Sequence, residues 1–191
     1  MHWSLKRLIL GGALVLIGLA SSPLMAGEKA NKALFEAINS GDDEAIKQAI
    51  DNGADVTAKH PGGRTPLIMA ASKATPAAVK MLLDAGANVN ATAIASNKTA
   101  VMATARRGHA EIMRILFEAG AKPDVRDQNG RTALMVASKQ GHHEVMTILM
   151  DNGAKAETND RFGWDVIDYA KMGGDATVKH LESLKGKASD S

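Results

Sequence analysis

Residues 127–154 read DQNGRTALMVASKQGHHEVMTILMDNGA, and the register of this stretch decides the fold. Its closing pair, Gly153-Ala154, recurs upstream as Gly53-Ala54, Gly86-Ala87 and Gly120-Ala121, at successive intervals of 33, 34 and 33 residues. A fixed period of this length marks a chain built by stacking one supersecondary unit, in which each unit buries the apolar face of its neighbour. The start of the stretch repeats as well. Gly130-Arg131-Thr132-Ala133-Leu134-Met135-Val136-Ala137-Ser138 aligns with Gly63-Arg64-Thr65-Pro66-Leu67-Ile68-Met69-Ala70-Ala71 and with Asn97-Lys98-Thr99-Ala100-Val101-Met102-Ala103-Thr104-Ala105. A looser copy reads Gly163-Trp164-Asp165-Val166-Ile167-Asp168-Tyr169-Ala170, and Gly141-His142-His143-Glu144-Val145 pairs with Gly108-His109-Ala110-Glu111-Ile112.

Each recurring residue type has a physical task. Thr65 and Thr132 can accept the free amides that open a helix, and Pro66 suits the first helical position. Ala70, Ala137 and Ala170 are small where two short helices must approach. Gly41, Gly108, Gly141 and Gly174 are placed to separate a first helix from a second. The glycines of the Gly-Ala pairs end the second helix, where a left-handed backbone is needed. Asp55, Asn88 and Asn90 then suit the turn into the next unit.

These residues are those of the ankyrin repeat, and over residues 28–186 the chain resembles that family. The resemblance implies an all-α solenoid of about five helix–turn–helix units joined by hairpin-like loops, within a domain spanning residues 27–186. Residues 28–59 read as an N-terminal cap, with a first helix near Asn31 to Asn39 burying Leu34 and Ile38. A second helix from Asp43 is expected to bury Ile46 and Ile50. Residues 60–92, 93–126 and 127–159 are full units, with one extra residue placed near Thr92-Ala93, at a hairpin tip. Residues 160–186 read as a C-terminal cap with a shortened, charged second helix, and residues 187–191 as a frayed tail. The family's usual histidine after Thr-Pro-Leu is replaced by Ile68, Met102, Met135 and Asp168, so those junctions should lean on apolar packing. Asn97 stands where the other units have the turn glycine.

The first 26 residues differ from the rest. Lys6 and Arg7 precede the apolar run Leu8 to Ala20, and small residues lead to Ala26. This pattern predicts a secretory signal peptide cleaved after Ala26, with Ser22 as the alternative site. An uncleaved anchor would need roughly 20 apolar residues, more than this run supplies. The chain has no cysteine, so neither a lipid-anchor cysteine nor a disulfide is available. Leader style and the lack of cysteine together predict bacterial export, to the periplasm, with secretion as the alternative. Once the two leader cations are set aside, Lys+Arg and Asp+Glu balance, so net charge gives no argument for nucleic acid or membrane binding. No stable membrane insertion is expected after cleavage.

No catalytic constellation is complete. His109-Ala110-Glu111 and His142-His143-Glu144 superficially match a zinc-deaminase His-x-Glu, but no cysteine exists to complete it. Gly-His-x-Glu is also ordinary for the family. The eight methionines beyond the leader could be soft metal ligands or oxidant sinks, yet their register places most in the core. Asp42-Asp43-Glu44 opens a helix, where negative charge complements the dipole. No cofactor or metal is expected, and no enzymatic activity.

One surface pattern stands out. The resemblance implies a concave face made of hairpin tips and the exposed sides of the first helices. The residue before each Thr position is Arg64, Lys98, Arg131 and then Trp164, and Lys73, Arg106, Arg107 and Lys139 fall near the ends of first helices. Glu111, Glu118, Glu144 and Asp151 fall mainly on second helices. These positions predict a cationic binding face for another protein with an acidic surface, with Phe162, Trp164 and Tyr169 as aromatic anchors at its C-terminal end. The competing reading is an ordinary solvated polar face. Expected partners are thus protein and not nucleic acid, the chain itself being a monomer. A chaperone-like accessory to a periplasmic or oxidative-stress enzyme, or a secreted effector, would use the same fold.

Overall fold

The computed structural model describes residues 23–189 except residue 74. Among the described residues there are ten helices and no strand. They come in five consecutive pairs: α1 (Pro23–Ser40) with α2 (Asp43–Asp51), α3 (Pro66–Lys73) with α4 (Pro76–Asp84), α5 (Ala100–Arg107) with α6 (Ala110–Glu118), α7 (Ala133–Gln140) with α8 (His143–Asp151), and α9 (Val166–Gly173) with α10 (Asp175–Ser189). First helices α1, α3, α5, α7 and α9 pack in sequence as one layer, and second helices α2, α4, α6, α8 and α10 as the other. The all-α solenoid of five units is the architecture observed.

The local devices follow the register. Thr65, Thr99 and Thr132 each accept from the backbone amide three residues on, at 3.3, 3.3 and 3.4 Å. In the last unit Asp165 takes over, accepting from Asp168 N at 2.9 Å, and Asp168 returns the bond to Asp165 N at 3.2 Å. This is a reciprocal cap that fixes two otherwise free donors. The glycines of the Gly-Ala pairs all have φ between 82 and 90°. In the hairpins, His60, Asp127 and Asp160 carbonyls accept from the glycine three residues on. Successive hairpins are then zipped together by Ile94 N to Gly63 O (3.0 Å), Gln128 N to Ser96 O (3.1 Å) and Arg161 N to Asn129 O (2.9 Å).

The core runs the length of the stack. Leu34, Leu67, Leu82, Met113, Leu116, Leu134, Met135, Met146 and Leu149 are all at most 1% exposed. Ala70, Ala137 and Ala170 are fully buried, as close helix packing requires. Ile68, Met102 and Met135, in place of the family histidine, are at most 4% exposed, so these junctions are apolar. Asp168 does otherwise and caps its own helix.

Four details differ from the sequence reading. Helix α1 starts at Pro23 instead of near Asn31, although Leu34 and Ile38 are buried as expected. In α2, Ala49 is buried beside Ile46, while Ile50 lies at the core's edge. The extra residue of the third unit sits in the turn Ile94–Asn97, because Asn97 N bonds to Ala93 O where the other units use a shorter turn. Helix α10 is not shortened: at 15 residues it is longer than α2, α4, α6 or α8. Leu181 and Leu184 hold it on the stack at 0% and 6% exposure, and Lys187 to Ser189 remain helical. Residues 1–22 of the expected leader lie outside the described residues, and Pro23 to Ala26 form the start of α1. Among the described residues, no helix is long and apolar enough to cross a membrane.

Candidate binding groove

Between the hairpins and the first helices lies a groove of about 500 Å³ that spans the three central units. The repeat builds it in two rows. Arg64 and Lys98 stand one residue before the helix cap of their units, with Arg131 equivalent to them in the next. Arg106 and Lys139 stand in the last turns of α5 and α7 and form the facing row, completed by Ser72 in the unit before. Ile68, Met102, Ala103 and Val136 provide an apolar floor between the rows. Cations in the last turn of a helix also meet the negative end of its dipole, which favours their placement there.

Five of the nine residues expected on the cationic face therefore converge: Arg64, Lys98, Arg106, Arg131 and Lys139. The other four do not line the groove. Lys73 donates from Nζ to the carbonyl of Asn39 at 3.4 Å, closing the end of α1. Arg107 lies one position beyond Arg106; its charge, after burial itself, helps lower the pKa of His109. Phe162 projects from the last hairpin tip at 74% exposure. Trp164 is 43% exposed and packs edge-on against Tyr169, with ring centroids 6.1 Å apart. Tyr169 does reach the groove, at its C-terminal end.

Arg131 differs from its row-mates. Its Nε and Nη2 donate to Asp127 Oδ2 at 2.9 and 2.7 Å, and Asp127 also accepts from the Asn129 and Arg131 amides. Hydrogen bonding to Asp127 raises the Arg131 pKa despite partial burial. The cation is thus pinned by a carboxylate whose side chain is 1% exposed. Among the described residues, Arg64, Lys98, Arg106 and Lys139 make no ion pair.

A second buried acid backs the first. Asp160 accepts from the Phe162 and Trp164 amides at 2.8 and 3.0 Å and from Tyr169 Oη at 2.8 Å. Burial pushes its pKa up, but these hydrogen bonds and the Arg131 charge outweigh it, and the carboxyl lies below its ordinary value. Burial, then the bond to Asp160, pushes the Tyr169 phenol up to about 12. Sequence reasoning missed Asp127 and Asp160 as groove supports. The available signal was their 33-residue spacing, four positions before Arg131 and Trp164 respectively.

The histidine and methionine motifs have structural positions. His142 opens α8, with Nε2 3.4 Å from the Arg106 carbonyl. His143 stacks on His180 at 4.8 Å and reaches Thr177 Oγ1 at 3.1 Å, tying α8 to α10. Met69, Met102, Met113, Met135 and Met146 are buried in the core, and Met81 and Met150 pack against it. Met172 is 45% exposed. Among the described residues no group of three or more His, Asp or Glu side chains could hold a metal.

A sequence profile for ankyrin repeats (3 copies) matches residues 5–93 and 93–161. The chain belongs to the ankyrin-repeat family. No curated protein matches it. Ankyrin repeats serve in general as protein–protein interaction modules and are typically non-enzymatic. In this ankyrin-repeat chain the two rows of the groove come from equivalent positions of successive units.

Proposed function

We propose that this ankyrin-repeat protein is an exported, periplasmic, non-enzymatic binding module that holds another protein by an acidic surface through its concave face. The observation that carries this reading is the set of four groove cations, Arg64, Lys98, Arg106 and Lys139, with no ion-pair partner among the described residues. Cations left in mutual proximity over an apolar floor gain most when an external anion neutralises them, and such complementarity sets partner choice and on-rate. Arg131 supports the row but is already engaged by Asp127.

The test is a fourfold charge reversal at Arg64, Lys98, Arg106 and Lys139. Partner capture from an envelope extract is expected to be lost while thermal stability stays near wild type, because all four side chains are exposed. Capture unaffected by the reversal would refute the concave-face reading. Localisation is tested separately, by fractionating cells and finding whether a processed chain resides in the periplasm.

A further inference from the structure

We infer that the groove is built for a single extended, carboxylate-bearing polypeptide segment whose acids recur every third residue. The inference rests on the concave-face reading above and specifies its ligand. Arg64, Lys98 and Arg131 occupy equivalent positions of consecutive units, so they are spaced by one unit step. That step is the separation of packed helices, about 8–10 Å. A chain extended as polyproline II rises about 3.1 Å per residue with three residues per turn, so every third side chain comes back to the same face about one step on. A carboxylate at every third position therefore stays in register with successive cations.

The unit step selects the backbone conformation as well. Acids three or four residues apart on an α-helix advance only about 4.5–6 Å, short of one unit step. An extended polyproline II chain instead returns every third side chain to one face. The acid-bearing face meets Arg64 and Lys98 of the hairpin row, unpaired among the described residues, and Arg106 and Lys139 flank it across the floor. Ile68 and Met102, 3% and 4% exposed, give that floor its apolar character and favour small apolar residues between the acids. Asp127 is the one acidic residue lining the groove, and Arg131 already neutralises it, so it does not repel the ligand.

The experiment compares two blocked synthetic peptides of identical composition, roughly a dozen residues long, binding to the purified full chain. One carries Glu at every third position among Val, Thr and Pro; the other carries the same glutamates in a single block. The spaced peptide is expected to bind about tenfold more tightly, equivalent to about 1.4 kcal/mol. Lys98→Glu and Arg106→Glu, with circular dichroism unchanged, should each weaken it by a comparable factor. Equal binding of the two isomers, lost in parallel as salt rises, would mean diffuse charge attraction and overturn the proposal. Failure of both peptides to bind would overturn it too. If the peptides fail while the fourfold reversal still abolishes partner capture, the concave-face reading survives with a folded acidic surface as its ligand. If capture survives the reversal, the reading itself falls.

Discussion

Replacing Tyr169 with phenylalanine removes one oxygen from the buried support of the groove, and the consequences can be worked out at three pH values. Tyr169 is 6% exposed and Asp160 8%, and the bond between Oη and Oδ2 is 2.8 Å long. Oδ1 keeps its two backbone donors, so the variant leaves Oδ2 as a buried carboxylate oxygen without its phenol donor. A hydrogen bond to a charged group contributes about 1.5–3 kcal/mol, so Tyr169→Phe should cost about 2 kcal/mol at neutral pH. For a chain of this size that lowers the melting temperature by about 4–8 °C.

The pH dependence separates this bond from a simple packing defect. Asp160 has a lowered pKa in the folded state. Its contribution is present above the unfolded value of about 3.9 and is lost as pH falls through the lower folded value. Tyr169 is raised from 10.0 to about 12. Its contribution is complete below pH 10 and disappears as pH rises through about 12. The gap between wild type and Tyr169→Phe should therefore be widest near neutrality and narrow at both extremes. Urea unfolding followed by circular dichroism at about pH 3, 7 and 11 measures it. A neutral-pH loss below about 0.5 kcal/mol, or a gap constant across all three pH values, would refute the assignment of this bond.

Three further outcomes follow from particular contacts. Gly173 and Gly186 both lie in helices, where Gly→Ala ordinarily stabilises by about 1 kcal/mol. Gly186→Ala should do so, since an added Cβ meets no atom within 4 Å; Gly173→Ala should destabilise because its Cβ would collide with the Ser138 carbonyl, and thermal melts of the pair test the opposite signs. Asn97 holds a φ of 54°, and its Nδ2 donates to Arg126 O at 2.9 Å. Asn97→Ala should lose about 1–2 kcal/mol in urea unfolding and Asn97→Gly distinctly less, because glycine restores the backbone freedom but not the bond. Asp127→Asn leaves Arg131 without its buried counter-charge, and with the guanidinium still partly hydrated the cost should be about 2–3 kcal/mol. The freed Arg131 should then make binding of acidic peptides more sensitive to salt, read by titration at two ionic strengths.

Much of this molecule was legible because the repeat compares the sequence with itself. Thr65, Thr99 and Thr132 cap helices because their register required it, and Leu34, Ile38 and Ile46 are buried as the period implied. The end units were harder to read. In the last unit α10 continues because Leu181 and Leu184 still find a surface on the stack. Equivalent positions also hid different environments. Arg131 shares a column with Arg64 and Lys98, yet it alone is paired, because Asp127 occupies the place that His60 and Ala93 fill in those units.

Repetition along the chain is enough to reveal the period, the number of units, the helix-opening threonines and a column of cations. Each depends on neighbours close along the chain or on exact repetition, and both are visible in a string of residues. Which cations share a groove emerges in three dimensions alone. Arg106 and Lys139 face Arg64 and Lys98 across the apolar floor, whereas Lys73 closes the end of α1 and Arg107 and Trp164 lie outside. Side-chain convergence is set by how one unit stacks on the next, and that geometry comes from the whole buried core instead of from any local pattern.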